Sequence, residues 1–206
     1  LENGKICETK TELLAKGDYV CIPRKLPEPI LIEKEIMWEM DGGAPKSDGD
    51  NPKYVRVNHA FMRFLGFYCA EGYSSYDEKS RNYEVGFTFG PSEREYALEM
   101  KDTFKNLFDL VATVYDESSE IRVRCYSKNL TAWLRGVCGT NAKSKMVPEL
   151  VFNCEPQLRR IFLQAFFLGD GAQKEGGIAF KLASERLGMG LMYLLLTFGV
   201  IGRIVP

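Results

Sequence analysis

Two nonamers decide how this chain folds: Phe64-Leu65-Gly66-Phe67-Tyr68-Cys69-Ala70-Glu71-Gly72 and Leu163-Gln164-Ala165-Phe166-Phe167-Leu168-Gly169-Asp170-Gly171. They lie 99 residues apart, and at that offset Gly66 falls on Ala165, Ala70 on Gly169 and Glu71 on Asp170. Each is an apolar helical run with two small residues spaced by four, followed by a carboxylate and a glycine stop. Small residues at that spacing leave a flat stripe that lets two helix backbones approach closely. The repeat therefore predicts a pair of helices packed through Gly66, Ala70, Ala165 and Gly169, with Glu71 and Asp170 side by side at one end.

The flanking sequence repeats as well. Asn58 is placed to cap the first helix, and Tyr83 to Phe89 alternates with the period of a half-buried strand. Pro91-Ser92 opens an amphipathic helix to about Leu107, with Tyr96, Leu98, Met100, Phe104 and Leu107 as its apolar positions. A hairpin is predicted over 111–115 and 121–126, around Asp116-Glu117-Ser118-Ser119, and a short helix over 130–137 that stops at Gly139. The second nonamer is followed by a predicted strand, Ile178 to Lys181, and a helix over 185–196. Helix, strand and helix thus occur twice, and the second copy breaks off before its hairpin. Ahead of both, residues 5–27 read as short extended segments, and the Gly-, Pro- and Asp-rich stretch 41–52 reads as a linker. The expected organisation is a β-rich segment (1–40), a linker (41–57), a first unit (58–155) and an incomplete second unit (156–206).

Composition narrows the class. Of 206 residues, 45% are hydrophobic, 27% charged and 12% aromatic, which excludes a disordered tail or a fibrous repeat. No apolar run is long enough to span a membrane, and the start has no basic-then-apolar pattern of a signal peptide. The net charge of -1 averages 9 basic and 11 acidic side chains in residues 1–58 with 18 and 17 in residues 59–206. Six cysteines without a CxxC pair, and a lone His59, argue against zinc and for a reducing, cytoplasmic setting.

A carboxylate at a helix C-terminus meets the negative end of the dipole. Two of them at one seam call for a cation, and Mg2+ commonly binds one or two protein carboxylates and completes its shell with water and phosphate. The plainer reading of either nonamer alone is a buried helix with a stop signal. Among the strands, Ile121, Val123 and Cys125 share one face, which leaves Arg122, Arg124 and Tyr126 as a basic and aromatic stripe able to reach phosphates or guanine edges. On the strand at 83–89, Glu84, Gly86 and Thr88 read as an ordinary solvated face. Lys181 falls on the polar side of its strand, opposite Ile178, Phe180 and Leu182. Arg159 and Arg160 are expected on the surface of the second helix, and His59 at a helix entry.

The two nonamers, with Lys143-Ser144-Lys145-Met146-Val147-Pro148-Glu149-Leu150 before the second and Leu194-Leu195-Leu196 and Phe198-Gly199-Val200 after it, resemble the LAGLIDADG homing endonucleases. Leu13 to Pro23 resembles the end of an intein's N-terminal splicing segment. The resemblance implies an α+β fold of pseudo-twofold αββαββα units with saddle-shaped antiparallel sheets, the second unit truncated. It further implies Mg2+-dependent hydrolysis of double-stranded DNA at a long target, with Mn2+ as a substitute ion. Glu71 and Asp170 then match the metal-binding acids, Lys145 a lysine near the scissile phosphate, and Lys181 a second assisting lysine. The implied partners are double-stranded DNA and a host protein around the intein, the implied location is cytoplasmic and nucleoid-associated, and a complete second unit implies a monomer. Two alternatives keep the fold: a nuclease-inactive nucleic-acid-binding maturase or regulator, and an inert structural insert of an intein. With no Cys or Ser at position 1 and no His-Asn pair at the end, no self-splicing is expected of the chain as given.

Overall fold

The computed structural model describes residues 7–21, 26, 35–37, 54–77, 79, 82–174 and 177–203. Two short strands open it, β1 (Glu35–Met37) and β2 (Tyr54–Arg56), paired antiparallel. Residues 54–56 were expected in the linker, yet Val55 and Val57 are buried against the core. Apolar side chains outweigh the loop-like composition around them. The predicted linker stretch 41–52 lies outside the described residues, as does part of the segment 5–27; residues 7–21 hold one 3-10 turn, Thr11–Leu13.

Helix α1 (His59–Glu71) begins as its sequence predicts, with the Phe61 backbone N–H donating to Asn58 Oδ1 at 3.0 Å. It runs without a break into β3 (Gly72–Asp77), followed by β4 (Asn82–Phe89), α2 (Arg94–Phe108), β5 (Ala112–Asp116), β6 (Ile121–Tyr126) and α3 (Lys128–Cys138). The four strands form one antiparallel sheet in the order β3-β4-β6-β5. Its inner face carries Val85, Phe87, Phe89, Ile121, Val123 and Cys125, all buried under α1 and α2. Phe64 is the hub: its ring stands edge-on to Phe87 at 5.3 Å, Phe104 at 5.4 Å and Phe108 at 5.1 Å. Edge-to-face packing of this kind adds to what area burial alone supplies.

A four-residue α4 (Glu149–Phe152) leads to α5 (Pro156–Asp170), β7 (Ala172–Lys174), β8 (Gly177–Ala179) and α6 (Glu185–Leu196). Strand β7 pairs with β8 as β3 does with β4, so α5-β7-β8-α6 repeats α1-β3-β4-α2.

Several expectations are corrected. Strands β3 and β7 were not foreseen, because Tyr73-Ser74-Ser75-Tyr76 has no apolar period and is drawn into extended form by pairing with β4. The second strand ends at Ala179, so Lys181 lies past it and is exposed, and Ile178 is exposed rather than inward. Leu98 is exposed, and Ala97 and Thr103 take the buried stripe of α2 instead. Arg159, expected on the surface, is buried with its guanidinium over the Phe198 ring at 5.7 Å; only Arg160 is exposed. Among the described residues no helix is long and apolar enough to cross a membrane.

Candidate active site and nucleic-acid face

Helices α1 and α5 meet backbone to backbone. A Cβ at Gly66 would collide with the Phe162 carbonyl oxygen and sit 2.7 Å from Ala165 Cβ. One turn on, a Cβ at Gly169 would sit 2.7 Å from Ala70 Cβ and 3.0 Å from Glu71 Cγ. Each level of the seam thus pairs a glycine with an alanine, and Ala165 is completely buried. The Glu71 side chain lies against Gly169, beside Asp170.

Burial, then the charges of Asp170 and Glu93, push the Glu71 carboxyl from 4.5 up to about 7, with Lys145 opposing. Burial also raises Asp170, again against Lys145. Lys145 sits in the same electrostatic cluster; burial pulls its ammonium down, while Cys69, Glu71 and Asp170 hold it up. Its Nζ donates to the carbonyls of Cys69 at 3.0 Å and Ala70 at 3.2 Å. Those are two of the carbonyls a helix end leaves without an intrahelical partner, so Lys145 caps α1 across 75 residues of sequence. The loop that carries it is built for the task. Gly139 has φ +92°, and a side chain there would strike the Ser144 carbonyl. The Met146 N–H donates to the Cys138 carbonyl at 3.0 Å, and Ser184 Oγ, the N-cap of α6, donates to the Lys145 carbonyl at 2.6 Å.

The raised carboxyl has a measurable consequence. Between 4.5 and about 7 the folded chain keeps a proton on Glu71 that the unfolded chain has released. Stability without divalent metal therefore falls as pH rises through that window. Thermal melts in EDTA should give a higher Tm near pH 5 than above pH 7, with the difference reduced in Glu71→Gln. A Tm of the same pH dependence in both proteins would contradict the assignment.

The pair suits a divalent cation. Neither Glu71 nor Asp170 has a hydrogen-bond or ion-pair partner among the described residues, and both carry the cost of a charged form that a cation would relieve. No group of three or more His, Cys, Asp or Glu side chains is gathered among the described residues. Two carboxylates with water and phosphate match what Mg2+ accepts. Lys181, exposed and beyond its strand, belongs to none of these contacts.

The outer face of the four-stranded sheet presents Arg122, Arg124 and Tyr126 together, as the alternation predicts. What the sequence did not suggest is that both arginines are already paired. Arg122 is bonded to Glu120 and lies 3.9 Å from Glu117, both in the hairpin turn. Arg124 Nε lies 3.5 Å from Glu84, and its guanidinium stacks over Tyr115 at 5.1 Å. Glu84, read as part of a solvated face, is 8% exposed and accepts the Tyr73 hydroxyl at 2.6 Å.

The arrangement of helix pair and antiparallel sheet is found among solved structures. I-DmoI in complex with DNA and Mn superposes with a TM-score of 0.54 at 14% identity, covering 70% of this chain and 80% of that one. Mesophilic variants of I-DmoI give 0.54 at 15% identity, covering 70% and 79%. The fold is that of the LAGLIDADG homing endonucleases. Other I-DmoI structures are complexes with DNA and Ca, or with target DNA in the presence of Mg. No family model matches the chain. In sequence it is 30% identical over 165 residues to the DNA polymerase II large subunit of Thermococcus kodakarensis, 76% of this chain and 9% of that protein. It is 27% identical over 165 residues to an uncharacterised protein of Methanocaldococcus jannaschii, 74% and 18%. Against transcription initiation factor IIB of the same organism it is 22% identical over 196 residues, 95% and 23%. The chain spans less than a quarter of each of these relatives.

Proposed function

We propose that this chain is the nuclease part of an intein-borne homing endonuclease, hydrolysing both strands of a long DNA target with Mg2+. The observation that carries the reading is the seam itself: two helices pressed together at glycine so that Glu71 and Asp170 come together, with Lys145 fixed against the same helix end. A protein that needed only a buried helix pair would gain nothing from two partly buried, mutually repelling carboxylates. The intein setting is supported by the unlike functions of the relatives. A polymerase subunit, a transcription factor and a gyrase subunit each match over a minor part of their length. A shared insert accounts for that, and a shared host activity does not.

When bound, the divalent cation supplies charge stabilisation for phosphodiester hydrolysis and lowers the pKa of water. Glu71 and Asp170 would hold the cation at the helix ends, where the outer sheet face would lay the duplex. Lys145, already fixed by two carbonyls, keeps a positive charge beside the carboxylates and stabilises charge on the reacting phosphate. Lys181, exposed on the second unit, would serve as a phosphate contact and assisting lysine. Arg122, Arg124 and Tyr126 contact the duplex. With a complete second unit, the working form is a monomer on double-stranded DNA, within a host protein, in the cytoplasm and on the nucleoid.

Incubating the protein with a plasmid pool carrying randomised inserts tests this. Mg2+-dependent linearisation at one recurrent sequence, with staggered ends, is expected, and Mn2+ should substitute. Sequence-specific binding with no cleavage in either metal would favour the maturase alternative and overturn the nuclease. Lys145→Met should cost about 1–3 kcal/mol, because two helix-end carbonyls lose their donor. It should also raise the Glu71 carboxyl further, since Lys145 is the group that opposes the shift. An unchanged Tm would show that the cap is dispensable.

A further inference from the structure

Resting on the nuclease reading, we infer that Arg124 reads a base, that Glu84 is the positioning residue which makes it a reader, and that the base is a guanine in the major groove. The cluster crosses all four strands of the sheet: Tyr73 on β3, Glu84 on β4, Arg124 on β6 and Tyr115 on β5.

Its construction begins at Gly86, which pairs with Tyr73 on one side and Arg124 on the other. A Cβ there would lie 2.5 Å from both Cζ and the hydroxyl of Tyr73, so glycine alone lets that ring lie flat across β4. The ring covers Glu84 and donates to Oε1 at 2.6 Å. Glu84 in turn faces Arg124 Nε at 3.5 Å, while Tyr115 supports the guanidinium face at 5.1 Å. The Arg124 side chain keeps 29% of its surface exposed, against 11% for Glu84.

A guanidinium held this way is poorly suited to neutralising phosphate. Its charge is already balanced by a nearly buried carboxylate, and moving it to a phosphate would strand that carboxylate without a counter-charge. Guanine offers two neutral acceptors, O6 and N7, and a fork of fixed plane meets them without breaking the pair with Glu84. Arg122 differs, because its carboxylate partners sit in the hairpin turn and Glu117 is half exposed.

The test uses the full chain in Ca2+ and a pool of duplexes with a randomised core, sequencing what is retained and measuring the salt dependence of binding. The wild-type pool should fix G at one position by about ten- to hundredfold over other bases. Arg124→Lys and Glu84→Gln should each lose that preference at that position alone, with the salt slope for Arg124→Lys unchanged within about half a unit between roughly 50 and 200 mM. Tyr73→Phe keeps the ring over Gly86 and removes only the donor, so it should relax the same position even if Glu84→Gln folds poorly. The inference is overturned if Arg124→Lys keeps the preference, or if Arg124→Ala weakens all sequences equally and reduces the salt slope by about one. Retention of no duplex by the wild-type protein overturns the nuclease reading, and this inference with it. Retention without any position altered in the variants overturns only this inference.

Discussion

Asp170→Asn should abolish Mg2+-dependent cleavage, slowing it by at least about two orders of magnitude, while leaving duplex binding in Ca2+ intact. The reason lies in what the substitution keeps. Asparagine has the shape of aspartate and the same place at the end of α5, where Gly169 against Ala70 fixes the helix. It lacks the charge that a divalent cation requires. The variant should also fold as well as the parent, or better. Burial already raises the Asp170 carboxyl, and a negative charge at a helix C-terminus opposes the dipole. With Asp170 gone, the Glu71 carboxyl loses its second-largest upward push and should titrate lower. Undiminished nicking of both strands by Asp170→Asn would overturn the catalytic assignment. A loss of cleavage accompanied by a fallen Tm would assign Asp170 to the scaffold instead.

Gly66→Ala should destabilise the protein by about 3 kcal/mol, the upper end of the usual overpacking cost, lowering Tm by roughly 6–12 °C. The added methyl collides with the Phe162 carbonyl oxygen, a backbone atom, as well as with Ala165 Cβ. Removing the second obstacle with Ala165→Gly should therefore not rescue it. The other level of the seam behaves differently. Gly169→Ala meets Ala70 Cβ and the movable Glu71 side chain, so Ala70→Gly should restore stability to within about 1 kcal/mol of wild type. A full set of melts on both double-mutant cycles checks this. Equal rescue at both levels, or at neither, would show that the two pairs do not pack as described.

Short-range chemistry made much of the fold readable. Asn58 and Gly72 bound α1 because capping is decided within one helical turn, and Gly139 ends α3 because φ there is positive. The alternation of 121–126 survives unchanged because those residues really do face core and outside in turn. The same logic failed where it was extended past its range. Ile178 to Lys181 alternates, but β8 stops at Ala179, so Lys181 never acquires a sheet face. Leu98 fits a helical period and is exposed, because the neighbours of α2 lie to the side of Ala97 and Thr103. Strand β3 was invisible, since an edge strand with polar side chains exists only through its partner.

The sequence by itself determined the helix pair and its acids. A spacing of four between small residues, repeated at one offset with a carboxylate after each, is a local statement about which helix faces can touch. Only the tertiary structure decided that Lys145 caps α1 and that Glu84 is buried beneath Tyr73 and holds Arg124. Those contacts join groups 11 to 76 residues apart. The burial that raises a carboxyl, or sets a carboxylate against an arginine, is a property of the packed chain around it, and no stretch of residues carries it alone.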